Sequence, residues 1–480
     1  MKIYVKSFFA LSLVFCLLTT SCNDKLEIQP EQSLSPTAAF GNKLAATASL
    51  IGVYSNAQDL DAFGAMPQVI ADFQSDNVDF IGSFPTLQDI KSYIQLSDNG
   101  SIRQIWSDNY RVILAANAVI KFVPGVEDKG YTDAERKQHI AEAKFLRALT
   151  YFNLVNLWGQ PFNFQNGATP GVPVVLEPDA LDGKAILPKR NTVAEVYTQI
   201  EKDLLEASPD LPTSYSSAEQ TRGRATKGAA AGLLSRLYLY KGDNAKTIAS
   251  ADLVLNNTTL YNLAANYNFF DQNGVEDVFT IQMSATDNSR TGAGGWASFY
   301  QPAEKGARGD CPFSPQLIAA FDTTNDKRFT TMRIIGNNRR LYTTKFSDAV
   351  NNTDNSPIIR TTEILLNKAE ALAKSTPALA NADAITLVNR LRARAGLAAF
   401  TVASFTTSQA LVDAILDERR KELCFEGHRR MDLLRNGKSL RTTGPGAGAL
   451  SAPGATRVVM PIPQREIDLG AALPQNAGYQ

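Results

Sequence analysis

The amino-acid sequence predicts a mainly α-helical protein with a few short strands. Apolar side chains recur at three- and four-residue spacing over long stretches such as 102–116, which is the pattern of one buried helix face. Thr132 is followed by Glu135, and this capping pattern marks the start of a helix. Strand-like fragments are short, as at 278–281. Helical patterns therefore decide the fold class.

Helix starts and ends follow in chain order. Ser35 is predicted as an N-cap before Pro36, a residue type that suits the first helical position. Gly159 and Pro161 end a long central helix. Helices are predicted at 35–54, 102–116, 132–158, 192–207, 226–241, 245–255, 361–374, 382–395 and 408–435.

The helical region 226–255 resembles a tetratricopeptide helix pair, with small residues where helices cross and aromatic residues to fill gaps. We therefore expect a tetratricopeptide-like helical scaffold on one side of the molecule. Residues 256–358 are instead rich in Asn, Thr, Gly and Asp. Long irregular segments in compact proteins tend to be functional, so we expect a loop-rich, ligand-facing side there.

The N-terminus carries an export signal. Lys2 and Lys6 precede an apolar run at 8–18, and small residues lead to Cys22. The apolar run is too short to cross a hydrocarbon core of about 30 Å as a helix. A cysteine at this place resembles a bacterial lipoprotein signal, which implies that Cys22 is acylated and becomes the mature N-terminus. The alternative is an ordinary secreted protein in which Cys22 happens to lie near the cleavage site.

Composition narrows the function classes. The chain has 48 basic and 48 acidic residues, so its net charge is zero and electrostatic binding of nucleic acid is not expected. There are 2 histidines, which leaves little for a metal site or a His-based catalytic site, and no cofactor is expected beyond a lipid on Cys22. In the mature body, Cys311 and Cys424 form either one disulfide or two buried thiols.

Long motifs stand in a fixed order along the chain. They read AEAKFLRALTYF at 141–152, GRATKGAA at 223–230, EILLNKAEALA at 363–373, NRLRARAGL at 389–397, DERRKELCFEGHRRMDLLR at 417–435 and PIPQREID at 461–468. These motifs resemble those of the SusD/RagB family of Bacteroidetes outer-membrane lipoproteins. The resemblance covers nearly the whole mature chain. It departs from the family pattern at Gly470, where Asn is usual, and at Ala477, where Pro is usual.

The segment 417–435 also has a reading from its residues alone. Helical spacing predicts ion pairs between Asp417 and Lys421 and between Glu426 and Arg430. We interpret the acidic row and the neighbouring arginines as an ion-pair network that braces helix packing, rather than as glycosidase acids. Gly427 is expected to break the helix or to let another segment approach. The acidic row is Glu418, Glu422 and Glu426; the arginines are Arg419, Arg420, Arg429 and Arg435.

The family resemblance implies a function without chemistry. It implies nutrient capture, most often of oligosaccharide, by a lipid-anchored protein of the outer membrane that faces the cell exterior. The implied partner is a TonB-dependent transporter of the SusC/RagA type. Two alternatives stay open: the same fold and role with a peptide or another nutrient as ligand, and a lipoprotein glycosidase.

Two loop segments carry the residue types that bind sugars. Aromatic side chains stack on the apolar faces of sugar rings, while Asn, Asp and Arg bind hydroxyl groups. The segments are 72–93 and 291–310, and in the family the corresponding regions contribute to the glycan site. For Trp296, packing within the loop is the alternative to ligand contact. The candidate ligand-binding residues are Asp76, Asn77, Asp79, Phe84, Tyr93, Trp296, Phe299, Tyr300 and Arg308.

The predicted organisation follows from these readings, with 22–480 forming one compact structural unit. The regions are a signal peptide at 1–21, a lipidated N-terminus and tether at 22–34, an N-terminal SusD-like helical region with tetratricopeptide-like helix pairs at 35–255, a loop-rich ligand-facing insertion at 256–358 and a C-terminal SusD/RagB helical region at 359–480.

Overall fold

The structure, a computed structural model, describes residues 36–178, 188–288, 294–376, 379–470 and 473–479. The predicted signal peptide, Cys22, the tether and the N-cap Ser35 lie outside the described residues, as does the 291–293 part of the second loop segment. In the part of the chain that is described, no helix combines the length and the apolarity that a membrane span requires.

Helices dominate the first half of the chain. A π-helical turn lies at Leu60–Gly64, and 3₁₀ turns lie at Val123–Gly125 and Phe164–Gly167. The α-helices are α1 (Pro36–Ala39), α2 (Lys43–Gln58), α3 (Met66–Gln74), α4 (Pro85–Lys91), α5 (Gly100–Phe122), α6 (Asp133–Trp158), α7 (Val193–Ala207), α8 (Ala218–Gly223), α9 (Lys227–Lys241) and α10 (Asn244–Leu255).

The second half mixes short strands with helices. Strands β1 (Asp277–Ile281) and β4 (Ser356–Arg360) pair antiparallel, as do β2 (Arg333–Ile335) and β3 (Leu341–Thr343). The α-helices are α11 (Trp296–Tyr300), α12 (Pro315–Ala320), α13 (Lys327–Thr331), α14 (Thr361–Ser375), α15 (Ala382–Ala395), α16 (Ser408–Leu423), α17 (Arg429–Leu434) and α18 (Gln464–Asp468). The 3₁₀ turns are Ala303–Lys305, Val402–Ser404, Gly448–Ser451 and Thr456–Val458.

The predicted fold class is confirmed. Helix α6 begins with the predicted capping box, in which the Thr132 hydroxyl accepts from the Glu135 N–H and the Glu135 carboxylate accepts from the Thr132 N–H. Helix α9 ends at Gly242, which adopts a φ of 78° that favours glycine. Helix α5 packs on α6, α6 on α7, α9 on α10 and α10 on α14. This packing of successive helices is consistent with the predicted tetratricopeptide-like scaffold.

The first predicted helix is interrupted, which corrects the prediction of one helix over 35–54. Helix α1 ends at Ala39, and α2 begins only at Lys43. Asn42 is extended, and its side-chain oxygen accepts from the Ala45 N–H at 3.0 Å, so it caps a new helix. Asparagine is favoured at the N-cap position because its side-chain oxygen accepts a hydrogen bond from the first helical turn. This local bond stabilises a new helix start at Asn42 more than continuation of the first helix would.

The last predicted helix, 408–435, is also two helices. Helix α16 ends at Leu423, and the chain turns through Phe425 and Gly427, with φ values of 67° and 79°, before α17 begins. The turn removes the helical spacing on which the predicted Glu426–Arg430 ion pair depended, so that prediction is wrong. Arg430 instead donates to Gln74 Oε1 at 3.1 Å.

Both readings of Gly427 hold. A Cβ at this position would lie 2.8 Å from the Cα of Gln68, so α3 approaches the turn as closely as a glycine allows. We expect Gly427→Ala to lower the free energy of unfolding by about 2–3 kcal/mol, because the left-handed φ and the steric conflict both disfavour a side chain. Chemical denaturation measures this change.

Gly437 provides the matched control. Its φ is also left-handed, at 68°, but a Cβ there would meet nothing within 4 Å. Gly437→Ala should therefore lose only the conformational part, about 1 kcal/mol. Equal losses in the two variants would show that the approach of Gln68 is not a constraint.

The predicted ion-pair network is present and buried. Glu418 pairs with Arg328 at 2.7 Å, and Lys421 pairs with Asp417 at 2.5 Å as predicted. The four arginines singled out from this segment also contact carboxylates, and its glutamates pair with basic residues from other segments. These contacts are Arg419–Asp432 at 2.8 Å, Arg420–Asp76 at 3.2 Å, Arg429–Asp76 at 2.6 Å, Arg435–Glu370 at 2.5 Å, Arg394–Glu422 at 2.9 Å, Arg360–Glu426 at 2.7 Å and Lys345–Glu426 at 2.7 Å. The network ties α16 and α17 to the loop-rich region and to α14.

Cys311 and Cys424 are free, buried thiols. Burial raises the pKa of Cys424 to about 11 and the pKa of Cys311 well above its ordinary value. Of the two alternatives that the sequence left open, the structure has the thiols.

Candidate functional site

The two predicted loop segments meet. Val78 and Phe313 form an antiparallel bridge, and the Asp79 N–H donates to the Pro312 carbonyl at 3.1 Å. The Ile81 N–H donates to the Asp310 carbonyl at 2.8 Å. These backbone bonds fix the turn before α4 against the end of the second loop, so residues far apart in sequence share one surface.

Phe84 is the exposed aromatic ring of this surface. It is 55% exposed, and among the described residues no other aromatic side chain is exposed to that degree. The residue caps α4 in an extended conformation, and Pro85 fixes the first helical position after it. The guanidinium of Arg308 lies 4.7 Å from the centroid of Phe84 and 4.6 Å from that of Phe299, so it sits between the two rings. Arg308 also donates to Asp310 at 2.7 Å, which holds it in place.

A polar groove of about 210 Å³ lies along the same segment. Its wall is shared by the turn before α4, the end of α4, the start of α12 and the loop after Leu440. The Gln316 amide donates to the Thr443 hydroxyl at 2.6 Å across it. The polar groove is lined by Ser75, Asp76, Val78, Asp79, Lys91, Ser314, Pro315, Gln316, Arg441, Thr442, Thr443, Gly444 and Pro445.

Both acidic residues of the polar groove are paired. Asp76 receives two hydrogen bonds from Arg429, at 2.6 and 2.9 Å, and lies 3.2 Å from Arg420. Burial would raise the pKa of Asp76, but the bonds and charges of the two arginines outweigh it and hold the pKa below its usual range. Asp79 pairs with Arg340 at 2.5 Å. These carboxylates therefore act as fixed anions with their own counter-charges.

The two cations of the polar groove are held by carbonyl groups. The Arg441 guanidinium donates to the carbonyls of Ser75 and Lys91 at 3.2 Å, of Pro445 at 3.0 Å, and of Phe73. The Lys91 ammonium donates to the Phe80 carbonyl. Burial lowers the pKa of both side chains. The charge of Asp79 opposes this effect at both, while the charges of Arg441 and Arg340 add to it at Lys91.

The other predicted aromatics of the second loop are in the core. Trp296 is 2% exposed; its indole N–H donates to the Ser356 hydroxyl at 2.8 Å and its ring lies 4.6 Å from that of Phe346. Phe299 and Tyr300 are fully buried, and the Tyr300 hydroxyl donates to Asp72 at 2.8 Å. Packing, the alternative given for Trp296, is what this arrangement shows for all three. Their contact with a ligand stays a prediction, and the described geometry offers no ring face for it.

Asn77 and Tyr93 are buried as well. The Asn77 amide donates to Asp72 at 3.4 Å and its oxygen accepts from Arg420 at 3.0 Å, so it joins α3 to α16. The Tyr93 hydroxyl donates to the Gln74 carbonyl. Of the predicted site residues, Asp76, Asp79, Phe84 and Arg308 reach the surface that the two loops form.

Several residues of this surface were missed by sequence reasoning. They come from four separate stretches, and no spacing rule connects them. The Gly/Pro loop at 444–454 was the one available signal, because such loops lie on surfaces. The missed residues are Lys91, Ser314, Gln316, Arg340, Arg441, Thr442 and Thr443.

Comparison with known families decides the relationship. The family model described as "SusD family" matches residues 319–479, and the one described as "Starch-binding associating with outer membrane" matches residues 24–239. The chain belongs to the SusD/RagB family. The matches agree with the motifs at both ends of the chain and with the mainly helical fold.

Relatives in this family are similar over most of their length. The chain is 26% identical to SusD-like protein P2 of Formosa agariphila, over 97% of this chain and 98% of the relative. It is 25% identical to the starch-binding protein SusD of Bacteroides thetaiotaomicron, over 74% of this chain and 75% of that protein. A solved SusD superfamily protein from Bacteroides thetaiotaomicron superposes with a TM-score of 0.80 at 26% identity, covering 91% of this chain and 99% of the other.

Proposed function

We propose that this protein captures glycan at the outer membrane and passes it to a TonB-dependent transporter of the SusC/RagA type. The observation that carries the proposal is the exposed ring of Phe84, backed by Arg308, on the surface that also forms the polar groove. The SusD/RagB membership supports it, because the matching family model is described as starch-binding and outer-membrane-associated, and one relative is named a starch-binding protein.

The chemistry of the surface suits sugar binding. A sugar ring stacks on the free face of Phe84, since the Arg308 guanidinium lies over the other face. Hydroxyl groups of the sugar meet the donors and acceptors of Gln316 and Thr443 in the polar groove. An aromatic platform beside a polar wall fixes both the position and the orientation of a glycan.

Binding rather than hydrolysis fits the acids of the polar groove. Glycoside hydrolysis requires one carboxylic acid with a raised pKa to protonate the leaving group. The pKa of Asp76 is instead lowered by Arg429 and Arg420, and Asp79 is paired with Arg340. Neither of the two described acids that line the polar groove therefore fits the proton donor that the glycosidase alternative requires.

The anchor completes the proposal. A lipid on Cys22 holds the body at the exterior face of the outer membrane, and the residues that follow it act as a tether. A single acyl chain gives only marginal anchoring, about 10⁴ M⁻¹, so docking on the transporter adds a second hold.

Phe84→Ala tests the binding surface. We expect it to weaken glycan affinity about tenfold, because it removes the stacking face. Titration with an oligosaccharide identified on a glycan array measures the change, and a peptide library on the same protein tests the other nutrient class. Leu253→Ala is the control, since Leu253 is 71% exposed on helix α10, which contributes no residue to the polar groove. Unchanged affinity in Phe84→Ala, or binding of peptides alone, would contradict the proposal.

A further inference from the structure

We infer that the captured glycan is acidic and that its carboxylate or sulfate group binds in the polar groove. This inference rests on the proposed glycan-binding function and specifies the class of ligand. It comes from the charges around the polar groove, where cations outnumber anions once every ion pair is counted.

The charges of the lining residues alone cancel, because Asp76 and Asp79 are negative and Lys91 and Arg441 are positive. The ion-pair partners of the two aspartates add only positive charge. Asp76 contacts both Arg429 and Arg420, and Asp79 contacts Arg340. Two anions thus face five cations, a net charge of +3 around the polar groove. The whole chain is neutral, so this excess is a local feature.

Lys91 and Arg441 are the cations of the polar groove that form no ion pair with a described carboxylate. Among the described residues, neither has a carboxylate within 4.0 Å, and their hydrogen bonds go to backbone carbonyls instead. A carbonyl satisfies an N–H but carries no net charge, so these two cations are opposed instead by the more distant charges of Asp79 and, for Arg441, of Asp76 as well. Lys91 is half-buried and its ammonium group has three N–H donors, of which the Phe80 carbonyl takes one. The others are available to an anion that enters the groove.

Asp79 does not prevent anion binding. Its carboxylate is 2.5 Å from the Arg340 guanidinium, so the pair presents little net charge. Neutral donors complete the site, since the Thr442 and Thr443 hydroxyls line the same groove. Charge-assisted hydrogen bonds from lysine to an anionic oxygen are stronger than bonds to a sugar hydroxyl, so an acidic sugar gains more here than a neutral one.

Direct binding of matched oligosaccharides tests the inference. The purified protein is titrated with three oligosaccharides of equal length: neutral, uronate-containing and sulfated. We expect at least one acidic arm to bind about tenfold more tightly than the neutral arm at low salt. The gap should narrow in about 0.5 M NaCl, where the Debye length falls to about 4 Å. Whichever acidic oligosaccharide binds more tightly, uronate-containing or sulfated, shows whether the polar groove takes a carboxylate or a sulfate group.

Substitution of Lys91 locates the effect. Lys91→Gln should reduce the preference for the acidic over the neutral oligosaccharide about fivefold, while Lys91→Arg should retain it. Lys137→Gln, on the exposed face of α6, is the charge-matched control. Should Lys91→Gln fail to fold, the preference and salt dependence of the unaltered protein decide the question.

The outcomes separate the inference from the proposed function. Equal affinity for all three oligosaccharides would overturn the inference that the ligand is acidic, but it would still support the proposed glycan capture. A preference that is the same in Lys91→Gln and Lys137→Gln overturns the assignment to the polar groove. If none of the three oligosaccharides binds, both the proposed function and the inference are wrong.

Discussion

Replacing Arg360 by methionine is expected to lower the free energy of unfolding by about 3–5 kcal/mol. Arg360 is the last residue of β4 and is 2% exposed. Its guanidinium makes a two-point contact with Glu426, at 2.7 and 2.9 Å, and a further bond to Glu276 at 3.0 Å. Methionine fills a similar space, so the variant removes the charge without opening a large cavity.

The loss arises from the carboxylates that remain. Glu426 is buried, and of its ion-pair partners among the described residues it would keep Lys345 alone, at 2.7 Å. An isolated buried charge is far less favourable than a buried pair, which is why removing one partner is more disruptive than replacing both. We therefore expect the double replacement of Arg360 and Glu426 by apolar residues to recover part of the loss.

The effect should depend on pH. Burial would raise the pKa of Glu426, but the charges of Arg360 and Lys345 outweigh it and hold the pKa below its ordinary value. A carboxyl with a lowered folded-state pKa contributes stability above its unfolded pKa of about 4.3 and loses it as the pH falls through the folded value. The difference between Arg360→Met and the unaltered protein should thus shrink below about pH 4.3, because a protonated Glu426 no longer needs a counter-charge.

Denaturant titrations at several pH values measure both expectations. Lys438→Gln is the control, because Lys438 and Asp413 pair at 2.8 Å with both side chains 49% exposed. Exposed pairs contribute about 0–1 kcal/mol, so that variant should unfold almost as the unaltered protein does. Similar stabilities for the two variants at pH 7 would refute the view that the buried network braces the C-terminal helices.

Local chemistry explains which parts of the fold were predictable. The capping box at Thr132 and the glycine stop at Gly242 depend on contacts within one helical turn, and both helices were predicted close to their observed bounds. The turn between α16 and α17 was not placed, although Gly427 was singled out. Its geometry follows from the approach of Gln68 on a distant helix, which sequence spacing does not record.

The candidate site was predictable by segment but not by residue. The composition of 72–93 and 291–310 indicated two loops with sugar-binding residue types, and the structure joins them through the backbone bond from Ile81 to Asp310. Composition does not say which aromatic ring faces solvent. Burial is decided by partners such as Phe346, from a third segment, so the sequence named Trp296 and Phe84 alike as candidates although Phe84 is the exposed ring.

Replacing Trp296 by alanine is therefore expected to act on stability, with a loss of about 3–5 kcal/mol in the free energy of unfolding. The ring is 2% exposed, packs at 4.6 Å on Phe346, and donates to Ser356, whose hydroxyl in turn donates to the Phe63 carbonyl. Alanine leaves a cavity between α11 and β4. Trp296→Phe keeps much of the packing and should lose about 1–2 kcal/mol, mainly from the missing indole N–H and the smaller ring.

Comparing Trp296→Ala with Phe84→Ala tests which of the two rings is buried in the core and which is exposed to ligand. Phe84 is 55% exposed, so its truncation should change the free energy of unfolding by only about 0.5 kcal/mol while it weakens glycan binding. Trp296→Ala should show the opposite pattern, with a large loss in the free energy of unfolding and little change in glycan affinity. Denaturation measures the stability of each variant, and glycan titration under conditions where both variants are folded measures the affinity. A Trp296→Ala protein that is as stable as the unaltered one but no longer binds glycan would show that the indole belongs to the ligand surface and not to the core, because only an exposed ring can be removed without leaving a cavity.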